Sequence, residues 1–237
     1  MASDRVELDK QTVSHVTQLD RLEDKIRPDH TALVAIDVLN DFCAAGGMME
    51  RAGFDLGMIQ AMTKRLGRLL ERARAIGVFV VFVRNVYSTE KNLYLSDVWL
   101  EQASRRETGF AYFSGEACPP DSWQNDFYEN IRPTNLEPIV TKHRYSSFYN
   151  TDLELILRSH GIRTVIATGV ATEVCVETAV REAFVRDFYV VLPRDGVATY
   201  SQSSHDEALR RIDSLFGHVT SIDDILAGWR LPEGAAS

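Results

Sequence analysis

Cys175, Asp37 and Lys142 are the side chains of this sequence whose chemistries complement one another. A thiolate attacks a carbonyl carbon, a carboxylate can take the thiol proton and return it to a leaving amine, and an ammonium steadies both anions. Each alone has an ordinary alternative. A free cysteine is often core filler, a strand-end aspartate often caps a loop, and a lone lysine usually sits on the surface. Cys175 follows Thr168-Gly-Val-Ala-Thr-Glu-Val. Gly169 permits unusual backbone angles, Thr172 is a natural N-cap, and Cys175 then falls in the first turn of a helix. Unpaired N–H groups and the helix dipole there favour a thiolate and could hold an oxyanion.

The elements that must position these groups follow from hydrophobic patterning. Ala32–Ile36 is a continuous apolar run that ends abruptly in Asp37, as in a strand buried on both faces of a parallel sheet. Met58, Ile59, Met62, Leu66, Leu69, Leu70, Ala73 and Ile76 recur at helical spacing up to Gly77, and Val78–Val83 reads as a second strand. Pro138–Val140, Thr164–Thr168 and Tyr189–Leu192 read as further strands. Asp152–His160, Val174–Asp187 and Ser203–Leu215 read as helices, and Ser221-Ile-Asp-Asp224 as a capped helix start. Strands alternating with helices predict an α/β fold, a doubly wound three-layer α/β/α arrangement around a mainly parallel sheet. Ligands of such sheets collect beyond the carboxyl ends of the strands, where Asp37, Lys142 and Cys175 all fall. The domain is expected over 28–230, with an N-terminal extension at 1–27 and a tail at 231–237. The extension packs on the domain or a neighbouring subunit, or else frays. The aromatic-rich stretch 84–135 is long enough for a lid or binding loop.

Bulk properties remove several classes of function. A net charge of -8, with basic residues scattered among acids, opposes nucleic-acid binding. No apolar run approaches a membrane span, and the N-terminus lacks a signal-peptide core. Three widely separated cysteines suggest no disulfide framework and favour the cytoplasm.

Three segments resemble the isochorismatase-like cysteine hydrolase family: Ala35-Ile-Asp-Val-Leu-Asn-Asp-Phe42, Thr141-Lys-His-Arg-Tyr-Ser-Ser-Phe148 and Gly169-Val-Ala-Thr-Glu-Val-Cys-Val176. The resemblance spans about residues 28–225. It implies that Cys175 is the nucleophile, Asp37 the general base and acid, and Lys142 their electrostatic partner. It also implies a cis peptide between Val170 and Ala171, with the Ala171 and Cys175 amides aimed at an oxyanion. Within the family the lysine segment is most similar to that of ureidoacrylate amidohydrolases, with biuret, triuret and N-carbamoyl hydrolases as neighbours. By the same likeness Asn85 and Tyr87 would contact the carbamoyl end of a small ureido or amide substrate, although Asn85 could equally be a turn residue. Phe42, Arg144 and Tyr149 are further candidate contacts, and Arg84 and Asn150 weaker ones. Dimers or tetramers are expected on the same ground.

Two departures matter. Leu39 stands where many members carry Gln, which puts borrowed pocket details in doubt. Nicotinamidase relatives bind a metal through histidines after the first strand, but 41–83 contains none, and His15, His30, His143, His160, His205 and His218 show no ligand spacing. No metal or other cofactor is expected. The competing readings are isochorismatase proper, cleaving a vinyl ether, an interaction protein on the same fold, and a redox-sensing cysteine.

Overall fold

The computed structural model describes residues 17–87, 93–104 and 117–229. Residues 1–16, the Phe110, Tyr112 and Phe113 part of the aromatic stretch, and the expected tail at 231–237 lie outside the described residues.

The apolar runs become parallel strands: β1 (Thr31–Ile36), β2 (Phe79–Asn85), β3 (Ile139–Lys142), β4 (Thr164–Val170), β5 (Tyr189–Pro193), β6 (Val197–Ala198) and β7 (His218–Thr220). Their order is β3-β2-β1-β4-β5-β7, and every strand pair is parallel. From β1 the chain winds outward through β2 and β3; from β4 it winds the other way through β5 and β7. The reversal falls between β1 and β4, the crevice where doubly wound sheets bind ligands. β5 pairs with only Thr164–Ile166 of β4, and the two-residue β6 takes over alongside Gly169 and Val170. Neither β6 nor β7 was expected from the sequence.

Alternate residues of β1 serve opposite faces, as the pleat requires. Leu33 and Ala35 join one hydrophobic cluster with Val80, Phe82 and Ile166. Ala32, Val34 and Ile36 join the other with Val81, Val83, Val165 and Ala167. The helices in chain order are α1 (Leu22–Lys25), α2 (Asn40–Cys43), α3 (Met48–Arg51), α4 (Gly57–Ala75), α5 (Asp97–Ser104), α6 (Leu153–Ser159), α7 (Glu177–Phe184), α8 (Gln202–Leu215) and α9 (Ile222–Gly228). α4 buries Ile59, Met62, Leu66, Leu69, Leu70 and Ala73 in the first cluster, the stripe read from the sequence. α6, α7 and α8 cover the second face with Leu153, Leu157, Val180, Ala183 and Ile212. The result is the expected three-layer arrangement. Ser221 and Asp224 form a reciprocal capping box on α9. Within the expected extension, the described residues from 17 onward pack on this domain: Leu19 N–H donates to Tyr189 Oη at 3.0 Å, and Ile26 is fully buried.

At the switch point β1 and β4 approach closely at Gly169, whose φ is +112°. A Cβ there would lie 2.0 Å from the Ile36 carbonyl oxygen. Both the backbone angle and the backbone clash exclude larger residues. Gly169→Ala is therefore expected to destabilise the protein by more than about 1 kcal/mol from backbone conformation alone, with the clash added. Urea denaturation would measure the loss; an unchanged midpoint would mean that the approach is looser than described.

Candidate active site

Asp37 is the first residue past β1 and has φ 54°, a left-handed conformation that aspartate tolerates better than most residues. Its N–H donates to the Val83 carbonyl at 2.9 Å, which fixes it against the end of β2. Lys142 ends β3, two residues past the end of the expected strand, in register with Asn85 of β2. Cys175 lies in a five-residue turn, Thr172–Val176, in which Val176 N–H reaches back five residues to the Ala171 carbonyl at 3.2 Å. This π-type turn replaces the expected α-helical start at Val174; α7 begins only at Glu177. Thr172 does not cap it. The Thr172 hydroxyl is hydrogen-bonded to His205 Nδ1 of α8 at 2.9 Å, and burial holds the His205 pKa below its usual value. The Val170–Ala171 peptide bond is cis.

These separate elements bring three side chains into contact. Lys142 Nζ lies 2.8 Å from Asp37 Oδ2, 3.3 Å from Cys175 Sγ and 3.0 Å from the Arg144 carbonyl. An ammonium has three N–H donors, and each has an acceptor here, which explains how a fully buried lysine is tolerated. Burial works to lower the Lys142 pKa, but Asp37 and then Cys175 outweigh it, so the pKa is raised and the ammonium stays charged. Burial also dominates at Asp37, raising its carboxyl above the ordinary value against the opposing pull of Lys142. Cys175 is pushed up to about 12 by burial, again against Lys142, with Asp37 raising it further. Burial therefore works against the thiolate that the turn position favours, and Asp37 stands where it can exchange a proton with the Cys175 thiol.

A cavity of about 320 Å³ opens onto Cys175 and Asp37. Phe42, Phe54, Tyr87, Tyr145 and Tyr200 supply its aromatic wall, while Glu173, Thr199 and Ser201 supply polar groups. Asp41 shapes this wall from behind: its carboxylate accepts from Met48 N–H at 3.0 Å and from Cys118 N–H at 2.7 Å. Tyr200 Oη donates to the Phe42 carbonyl at 2.9 Å, tying the wall's two halves together.

Of the expected substrate contacts, Phe42 and Tyr87 line the cavity, as do Val170 and Ala171. Asn85 does not line it, yet its side chain is fully buried with neither Oδ1 nor Nδ2 hydrogen-bonded. Arg144 and Tyr149 are not brought to the cavity. Arg144 donates to the carbonyls of Tyr94 and His143 and stacks over Trp99, so it fastens a loop. Tyr149 is more than half exposed. Arg84 reaches toward Thr141, and Asn150 occupies an exposed left-handed turn. Leu39 lies in the core and bridges to Phe127, so an apolar residue at this position completes packing rather than contacting a ligand. Glu173, Thr199, Tyr200 and Ser201 were not singled out from the sequence. Glu173 was visible only as a motif letter, and the other three follow a strand too short to recognise. Among the described residues no group of three or more His, Cys, Asp or Glu is arranged to hold a metal.

This fold matches a known family. Residues 31–224 fit the isochorismatase domain, and the chain belongs to that family. It is similar to the ureidoacrylate amidohydrolase RutB of Serratia proteamaculans, with 30% identity over 208 residues covering 83% of this chain and 81% of the relative. RutB of Pseudomonas syringae pv. syringae is 30% identical over 212 residues, 84% of each chain. A solved cysteine hydrolase from Pseudomonas syringae pv. phaseolicola shares the fold with a TM-score of 0.73 at 24% identity, covering 86% of this chain and 94% of that one. Among the described residues no helix is long and apolar enough to cross a membrane.

Proposed function

We propose that this protein is a cysteine amidohydrolase that cleaves a carbon–nitrogen amide bond, other than a peptide bond, in a small ureido or carbamoyl compound. The observation that carries this reading is the contact of Cys175, Asp37 and Lys142 at the floor of the cavity. The RutB relatives support the reaction class. Cys175 Sγ attacks the substrate carbonyl as Asp37 takes its proton, so the thiolate forms only as the new bond forms. Lys142 stays protonated beside both groups and stabilises the negative charge as it moves from carboxylate to sulfur and substrate oxygen. The Ala171 and Cys175 amides are assigned to that oxygen. Asp37 then returns its proton to the departing nitrogen, which leaves as ammonia or as an amine while the carbonyl carbon stays on Cys175 Sγ. Water cleaves the resulting thioester with Asp37 again as base. Tyr87 is assigned to the flat face of the substrate. Asn85 is assigned to its carbamoyl end on the family resemblance, its buried, unpartnered amide standing beside Lys142 and behind the cavity lining of the unliganded protein. The catalytic unit is residues 28–230, acting in the cytoplasm as a dimer or tetramer, on the grounds of cysteine usage and family resemblance.

A coupled ammonia assay on ureidoacrylate, biuret, triuret, carbamoylsarcosine and nicotinamide tests this. Ammonia from at least one ureido compound is expected; pyruvate from isochorismate, with no ammonia from the panel, would replace the reading with vinyl-ether cleavage. The pH profile is a second check. A base must be deprotonated to act, and burial raises Asp37, so kcat/KM is expected to fall with acid along a limb centred above the usual aspartate value of 3.8. A limb at or below 3.8 would assign the base elsewhere.

A further inference from the structure

The charges around the cavity are unevenly distributed. Asp37 and Glu173 are the charged side chains that line it among the described residues. The nearest cation, Lys142, stands behind Asp37 and Cys175 with all three donors already engaged. Glu173 sits two residues before the nucleophile in the same turn. One carboxylate oxygen, Oε1, accepts from the Thr199 hydroxyl at 2.9 Å. The other, Oε2, is shielded from solvent and has no hydrogen-bond partner. A carboxylate oxygen withdrawn from water calls for a donor, and it repels a second anion. The remaining wall is aliphatic, aromatic or hydroxyl-bearing and supplies no cation.

We infer that Glu173 selects substrates by charge, so that the group next to the scissile amide is a neutral, N–H-rich or cationic one rather than a carboxylate. This rests on the amidohydrolase reading above and narrows it. Uncharged ureido compounds, which the Glu173 carboxylate does not repel, fit the cavity better than carboxylated ones. The carboxylate-bearing substrate named for the RutB relatives is accordingly expected to be the poorer one.

The test uses two alkylating probes of nearly equal size that differ in charge, iodoacetamide and iodoacetate. Each transfers its carbon to Cys175 Sγ with loss of iodide, followed by peptide mass spectrometry; Cys43 and Cys118 are fully buried and serve as internal references. Wild-type protein is expected to disfavour iodoacetate, and Glu173→Gln, which keeps the shape, to raise the iodoacetate-to-iodoacetamide rate ratio about fivefold. Raising the salt concentration should move the wild-type ratio the same way without any substitution. The ammonia assay then compares biuret with ureidoacrylate, and Glu173→Gln should shift kcat/KM toward the carboxylate-bearing compound. A ratio unchanged by both the substitution and salt overturns the inference, as does wild-type preference for ureidoacrylate. If the alkylation ratio shifts as expected but no ureido compound yields ammonia, the charge assignment stands and the hydrolase reading fails.

Discussion

Cys175→Ala is expected to lower amide turnover on the order of 10⁴-fold or more while the protein stays folded. The size of the effect follows from the site. Asp37 and Lys142 remain paired at 2.8 Å without the sulfur, so the buried charges stay compensated and the fold loses only a small, nearly enclosed group. The bond-forming atom, however, has no substitute within the cavity: Thr199 and Ser201 are its aliphatic hydroxyl-bearing side chains, and the hydrogen bonds of Lys142 run instead to Cys175 and the Arg144 carbonyl. Circular dichroism and a urea melt alongside the ammonia assay separate chemistry from folding. A folded Cys175→Ala protein with undiminished turnover would remove the nucleophile from the account.

Lys142→Met is expected to cost about 3–5 kcal/mol of stability at neutral pH, besides abolishing activity, because it leaves Asp37 buried without a counter-charge. The sign of its pH dependence is fixed. Without Lys142, burial of Asp37 is opposed only by the smaller pull of the Cys175 hydrogen bond, and its folded pKa rises further above the unfolded 3.8. Between those two values the folded state binds more protons than the unfolded one, so stability falls as pH rises. The deficit of the variant should therefore be largest near neutrality and shrink as pH is lowered toward 4. In the wild type the raised Lys142 pKa works at the other end: its stabilising contribution is complete below 10.5 and is lost as pH climbs through the folded value. Asp37→Asn combined with Lys142→Met should recover most of the stability and none of the activity. Urea midpoints between pH 4 and 8 report all of this, and a Lys142→Met midpoint equal to wild type at pH 7 would contradict the buried pair.

The strand ends were legible in the sequence because buried parallel strands are continuous apolar runs, and a charged residue directly after one, such as Asp37, stands out. The carboxyl edge that carries the site followed, since three chemically matched residues fell at the same edge of one predicted sheet. What was not legible depended on contacts distant in sequence. Thr172 has the type and position of a helix cap, but His205, 33 residues on, takes its hydroxyl. A π-type turn spans too few residues to leave a periodicity, so Cys175 read as α-helical. Arg144 and Tyr149 are close to Lys142 in sequence, yet the chain leaves the sheet after β3 and carries them away from the cavity. Burial works against the Cys175 thiolate, and motif letters carry no information about burial. Glu173 is the same case in reverse, a motif letter whose importance comes from the oxygen it leaves unpartnered.

The central claim is that amide cleavage passes through an acyl group on Cys175. Acid quenching during steady-state turnover of an ammonia-yielding ureido compound, followed by mass spectrometry of the peptide containing Cys175, addresses it directly. The predicted result is an acyl adduct confined to that peptide, which hydroxylamine discharges as a hydroxamate. Steady ammonia production with an unmodified Cys175 peptide at every quench time, and with no hydroxamate formed, would contradict it.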